Sequence, residues 1–157
     1  MTPLERLLSK VAAGPNGCWI FTGSVTAGGY GSIGIRKPVT MLAHRAAYQL
    51  LVGEIPTGMQ LDHECHTRDL ACPGGKCLHR RCVNPDHLAP VTAVENNFRS
   101  RHTLTSINAA KTHCNSGHEF TERNTLLSTK AGRTSRACRE CHRLKTRARR
   151  ERLRQAA

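Results

Sequence analysis

The sequence predicts a small α+β fold tied together by cysteine and histidine clusters more than by a hydrophobic core, and three observations carry that expectation. Only 4% of the 157 residues are aromatic, too few for a large core in a chain of this length. Eight cysteines stand in short spacings with histidines among them. Residues 1–10 lack the apolar stretch of a secretory signal, so a reducing, cytoplasmic setting is expected and the cysteines read first as zinc ligands rather than disulfides. The charge is the third observation. Residues 1–98 carry nine Lys/Arg against seven Asp/Glu, and residues 99–157 carry fifteen against four. The formal charge of +13 therefore belongs mainly to the tail. A polyanion is the natural partner for it, because each neutralised phosphate releases counterions; a basic tail that serves solubility alone is the plainer alternative. No apolar run approaches the length of a membrane span, so a soluble chain with no membrane partner is expected.

The elements follow in order. Residues 1–13 place Leu4, Leu7, Leu8 and Val11 at helical spacing before the turn Gly14-Pro15-Asn16-Gly17, so residues 1–16 read as an N-terminal helix and linker. Residues 18–35 are rich in Gly, Ile, Val and aromatics and suit a hairpin of two short strands around Thr26-Ala27-Gly28-Gly29. Residues 41–52, with Leu42, Arg45, Ala46 and Gln49 on one face and Gly53 just beyond, predict a helix. Residues 59–65 predict a strand running into an irregular loop with Pro73-Gly74-Gly75. Asn84-Pro85-Asp86 offers a helix start, with helix expected to about Ser100. Residues 101–113 read as a polar linker. Residues 114–157 read as a Cys/His module followed by a basic helix over 142–154 with hardly any apolar face.

One segment points to chemistry. Phosphodiester cleavage needs a base that activates water and a divalent cation that stabilises the crowded phosphorus centre and the leaving oxygen. Asp62-His63 offers a hard-metal ligand beside an imidazole that titrates near neutrality. Neighbours on a strand face opposite ways, so the strand must end or twist there for the two to cooperate. Asn96, on the expected helix, offers an amide oxygen to the same cation, and an oxygen-only site suits Mg²⁺ or Mn²⁺. Taken alone, the pair is better explained by Asp62 as an N-cap or turn residue and His63 as a satisfied core histidine.

The surrounding residues change that balance. Asp62-His63-Glu64-Cys65, Cys82-Val83-Asn84-Pro85-Asp86-His87-Leu88 and Val91-Thr92-Ala93-Val94-Glu95-Asn96 resemble the HNH endonucleases, in the phage-type branch that is similar to the His-Cys box homing endonucleases. Gly17-Cys18-Trp19-Ile20, Gly29-Tyr30-Gly31 and Ala43-His44-Arg45-Ala46-Ala47-Tyr48 resemble the segments that precede the motif in that branch. The resemblance covers residues 17–100 and implies a ββα-metal nuclease domain acting on double-stranded DNA. It implies His63 as general base and Asp62 and Asn96 as ligands of the catalytic metal. The middle position of the name motif, usually Asn, is His87 here. In the His-Cys box branch that histidine binds structural zinc, so the resemblance implies a zinc site of Cys18, Cys65, Cys82 and His87. Cys18 as a small buried residue beside Trp19 is the alternative. A bacterial cytoplasmic setting for a phage or mobile-element protein, in homing, packaging or defence, is likewise only implied. A homodimer would be needed for paired cuts from one active site per chain.

Two further clusters rest on spacing. Cys114-x3-His118 with Cys138-x2-Cys141 has the form of a zinc ribbon or knuckle, with His113 and His142 as alternative ligands. His66, Cys72, Cys77 and His79 offer a third zinc site, the alternative being that both cysteines are free. DNA contact is expected from Arg139, Arg143, Lys145, Arg147, Arg149 and Arg150 on the basic helix, to phosphates rather than base edges. Arg80, Arg81, Arg99 and Arg101 flank the catalytic segment, and His44-Arg45 is a further candidate. A zinc-stabilised DNA-binding or regulatory protein without cleavage activity is the competing function, and it would need none of Asp62, His63 and Asn96. An RNA-binding module is disfavoured by the lack of clustered aromatics for base stacking.

Overall fold

The computed structural model describes residues 1–36 and 38–156. It divides into two compact units, Met1–Ile107 and Asn108–Ala157, each mixed α/β.

The first unit begins with helix α1, Pro3–Leu8, started by a capping box in which Thr2 Oγ1 accepts from Glu5 N and Glu5 returns to Thr2 N. The helix is shorter than expected, because Val11–Ala13 is strand β1. Strand β2, Trp19–Phe21, pairs antiparallel with β1, Ala12 opposite Ile20. Strands β3, Ser32–Arg36, and β4, Val39–Leu42, form a second antiparallel pair with Ser32 opposite Leu42. The expected hairpin across residues 18–35 is therefore corrected: both of its strands exist, but each pairs outward with a neighbour that the residue pattern did not mark. The Thr26 to Tyr30 turn survives, joined only by an isolated bridge of Val25 and Gly31.

Helix α2, Ala43–Leu51, buries Ala43, His44, Ala46 and Ala47, a face one position away from the expected Leu42-Arg45-Ala46-Gln49 stripe. The core gathers Leu7, Phe21, Ile33, Ala43, Ala46, Ala47 and Val83. A methyl on Gly31 would lie 2.7 Å from Phe21 and 2.9 Å from Ala43, so glycine lets β3 approach α2 closely. Leu7 is fully buried here, so α1 belongs to this unit and is not a separate appendage. Three of these seven side chains are single methyl groups, so burial alone contributes little per residue.

Strand β5, Gln60–His63, pairs antiparallel with β6, Leu88–Val91, His63 opposite Leu88 and Gln60 opposite Val91. Between them lies helix α3, Glu64–Arg68, where a loop was expected, and then short 3-10 turns at Leu78–Arg81 and Pro85–His87. Asn84 does not start a long helix. Its side chain accepts from Asp86 N at 3.0 Å and donates to Gly17 O at 2.8 Å, and the chain then turns to strand. Helix α4, Ala93–Arg99, starts instead at the Thr92/Glu95 capping box and packs on β5. Helix α5, Leu104–Ala110, occupies what was expected to be a linker.

The second unit holds strands β7, Thr125–Lys130, and β8, Arg133–Cys138, antiparallel with Thr125 opposite Cys138. Helix α6, Arg139–Gln155, follows directly. The guanidinium of Arg136 donates to the carbonyls of Asn108, Ala109 and Lys111 and lies 4.4 Å over the Phe120 ring. No helix among the described residues is long and apolar enough to cross a membrane.

Candidate metal centres and the Asp62–His63 site

All eight cysteines are free thiols, and all fall into three tetrads with histidine: Cys18, Cys65, Cys82, His87; His66, Cys72, Cys77, His79; and Cys114, His118, Cys138, Cys141. Within each tetrad the four ligand atoms lie within 4.8 Å of one another. Tetrahedral zinc with ordinary bond lengths demands S···N edges of about 3.6 Å and S···S edges of about 3.8 Å. The observed edges match. Cys18 Sγ and Cys82 Sγ each lie 3.6 Å from His87 Nδ1, and Cys72 Sγ and Cys77 Sγ each lie 3.3 Å from His66 Nδ1. In the second unit Cys114 Sγ is 3.5 Å from His118 Nδ1 and 3.6 Å from Cys141 Sγ, and Cys138 Sγ is 3.7 Å from His118 Nδ1. The three Cys/His clusters can therefore hold zinc.

Electrostatics agrees. In the Cys18 tetrad, burial followed by the neighbouring Cys82 charge pushes the Cys18 thiol up to about 11, while hydrogen bonding from Cys65 and then from the Asn84 amide draws Cys82 down to about 5. Cys65 is pushed up, first by its bond to Cys82. Without a cation only one of three crowded thiols ionises; a divalent ion removes that conflict. In the His66 tetrad, His79 Nδ1 is buried with no hydrogen-bond partner, and its Nε2 lies 3.6 Å from the Asp69 carboxylate. A carboxylate behind a ligating imidazole fixes the ring and raises its basicity. His102 caps this cluster, Nε2 donating to Cys72 O at 3.1 Å. Neither Asp69 nor His102 had a spacing that would single it out.

Strand β5 ends at the Asp62-His63 pair. His63, at φ −92° and ψ 90°, closes β5 and leads into α3. Both residues are 7% exposed. His63 Nε2 lies 3.2 Å from the Cys82 carbonyl; a carbonyl only accepts, so Nε2 carries the proton and Nδ1 is the free lone pair. Burial, reinforced by nearby His44, draws the His63 imidazole down to about 3, so the ring is neutral at physiological pH. Asp62 Oδ2 is buried without a hydrogen bond, at 3.5 Å from Arg99 Nη1, an ionic approach only. Burial pushes its carboxyl up, against the opposing pull of Arg99. Asn96 donates through Nδ2 to Gln60 Oε1 at 2.7 Å, and Gln60 shares a strand face with Asp62 by alternation. That leaves Asn96 Oδ1 unpartnered among the described residues. Asp62 Oδ2 and Asn96 Oδ1 are oxygen donors of the kind that hard divalent cations take.

Residues around His63 were missed or misread. His44, a candidate for DNA contact by sequence, is 5% exposed, lies edge-on to His63 at 4.7 Å, and keeps an unpartnered Nδ1. Burial and then Arg45 draw it down to about 4. Tyr30 stacks near both rings, at 5.6 Å from His44 and 6.0 Å from His63. Only the Gly29-Tyr30-Gly31 and Ala43-His44 strings signalled them.

The flanking arginines are partly committed to the protein itself. Arg80 donates to Gly28 O, Arg81 to Phe21 O and Arg101 to Asp69 O, while Arg99 bridges Asp62 and Glu64. Arg45 is half-buried. On α6, Arg139 donates to Arg123 O, and Arg143 and Arg147 pair with Glu140 and Glu151. Lys145, Arg149 and Arg150 are exposed and form no salt bridge among the described residues. No family model, no curated protein and no solved structure matches the chain.

Proposed function

We propose that the chain is a metal-dependent DNA endonuclease of the HNH type, with β5, β6 and α4 as its ββα-metal core and the Cys/His tetrads as structural zinc sites. The observation that carries the reading is the His63–Cys82 hydrogen bond, which leaves Nδ1 of a neutral, immobilised imidazole as the free base, next in sequence to an Asp62 whose Oδ2 makes no hydrogen bond. His63 Nδ1 takes the proton of the attacking water, and the Cys82 carbonyl stabilises the imidazolium that results. Asp62 and Asn96 hold Mg²⁺ or Mn²⁺, whose charge would stabilise the phosphorane and the leaving 3′ oxygen when bound. Lys145, Arg149 and Arg150, with no acidic partner to neutralise them, grip phosphates without reading sequence.

Purified protein incubated with plasmid DNA and Mg²⁺ or Mn²⁺ tests the reading. Nicked or linear product that disappears on chelation of the divalent ion is expected. Absence of product with either metal, on supercoiled, linear and single-stranded DNA alike, contradicts it.

A further inference from the structure

The His66 tetrad lies in an insertion that a nuclease core does not need for its own ligands, yet it joins the base through a single turn. His79, a member of the tetrad whose Nδ1 is buried without a hydrogen bond, opens residues 79–82. Cys82 N donates back to His79 O at 3.0 Å, and Arg80 N to Cys77 O at 3.2 Å, so the turn is closed on itself and on the cysteine before it. Cys82 then does two things: its sulfur belongs to the neighbouring tetrad, and its carbonyl accepts from His63 Nε2.

Arg80, one residue after His79, reaches the same histidine by a second route. Its guanidinium donates to Gly28 O at 2.6 Å and lies 4.9 Å over the Tyr30 ring, and the Tyr30 centroid is 6.0 Å from that of His63. The loop between the two cysteines also presses on the turn that carries Tyr30. Gly29 has φ +87°, and a methyl there would lie 3.1 Å from Lys76 Cβ. The loop itself has little to order it: Gly74 and Gly75 both take positive φ, and Pro73, Gly75 and Lys76 are exposed. A cation clamping Cys72 and Cys77 onto His66 and His79 removes the entropy that such a loop otherwise keeps.

We propose that zinc held by His66, Cys72, Cys77 and His79 orients the His63 imidazole through residues 79–82, with Arg80 and Tyr30 as positioning residues. The inference rests on the nuclease reading for its kinetic consequence but not for its structural one. Without the metal, the Cys82 carbonyl loses one of its two anchors and Arg80 loses its fixed place over Tyr30, so the His63 ring samples orientations in which Nδ1 no longer faces the water.

The full chain tests this as wild type, as Cys72→Ser/Cys77→Ser, and as Arg80→Met, which keeps all four ligands. Zinc content, ¹⁵N-histidine spectra and single-turnover cleavage of plasmid DNA with Mn²⁺ are read on each. The double variant is expected to hold one zinc fewer than wild type, to lose the single Nε2–H signature of His63, and to cut about 10- to 100-fold more slowly at saturating DNA, with DNA affinity retained. Arg80→Met is expected to keep its zinc and its melting temperature while losing rate in kcat, a split that a purely structural role would not produce. The proposal is overturned if the double variant loses no zinc, or loses it while the His63 spectrum is unaltered. If the double variant fails to fold, Arg80→Met decides, and a wild-type kcat there overturns the proposal. A wild-type chain that cuts no DNA contradicts the nuclease reading instead, and the histidine spectrum then decides the positioning claim alone.

Discussion

The Cys82 carbonyl oxygen lies 3.2 Å from His63 Nε2, while the Cys82 sulfur sits 3.6 Å from His87 Nδ1. One residue thus ties a structural metal cluster to the imidazole that would act as base. A cation closing that cluster would therefore also hold the His63 ring in one orientation.

That coupling makes metal content a stability variable. Zinc analysis should return three ions per chain, one for each tetrad. Stripping them with a strong chelator at neutral pH should abolish the cooperative melt, since the seven-residue core of the first unit includes three alanines and cannot compensate. A chelated chain with an unchanged melting temperature would show that the tetrads are packing clusters only.

Asp62→Asn should separate fold from chemistry. Burial already pushes the Asp62 carboxyl up, so removing its charge with an isostere should leave the melting temperature equal or higher. Mn²⁺ binding should weaken, and cleavage should fall by about 100- to 1000-fold, the usual scale for losing one electrostatic group at a reacting phosphate. A variant that melts earlier yet binds Mn²⁺ as tightly would assign Asp62 a structural role.

Acid sensitivity should be traceable to the histidine pair. The His44 imidazole is depressed from 6.5 to about 4 in the folded chain, so between these values protons bind the unfolded chain preferentially. Its contribution is fully present above pH 6.5 and is lost as pH falls toward 4, by up to about 3 kcal/mol. Denaturant melts from pH 7 to pH 4.5 with zinc in excess should show the decline, and His44→Phe should make it shallower while the His63 share remains. Equal slopes in both proteins would place the acid sensitivity in His63 or the metal ligands instead.

DNA affinity should carry the signature of phosphate neutralisation. Replacing Lys145, Arg149 and Arg150 together with alanine should reduce the slope of log K against log salt by about 3, near 0.9 for each phosphate no longer neutralised. The weakening should be similar on unrelated sequences. An unchanged slope would remove α6 from the interface.

Much of this arrangement was legible because metal ligation is written in residue type and short spacing. Cys114, His118, Cys138 and Cys141 announced their tetrad locally, and the dense basic charge of residues 139–154 announced α6. What stayed hidden depends on distant pairing. The three-residue strands β1 and β2 are too short for alternation to select partners, so a hairpin across residues 18–35 looked self-sufficient. Asn84-Pro85-Asp86 carries a helix-start signal, yet it is spent on a 3-10 turn whose Asn84 side chain reaches Gly17. The capping box at Thr92 and Glu95 was the better marker of α4. Tyr30 and His44 reach His63 from segments 33 and 19 residues upstream, a proximity that no periodicity encodes.

The central claim, that His63 Nδ1 is the base of a metal-dependent nuclease, is met most directly by single-turnover cleavage of plasmid DNA with Mn²⁺ by wild type and His63→Ala, alongside zinc content and DNA affinity. Wild type should cleave, the variant should be slower by at least about 100-fold, and zinc and DNA binding should be unchanged. Equal cleavage by His63→Ala would contradict the claim.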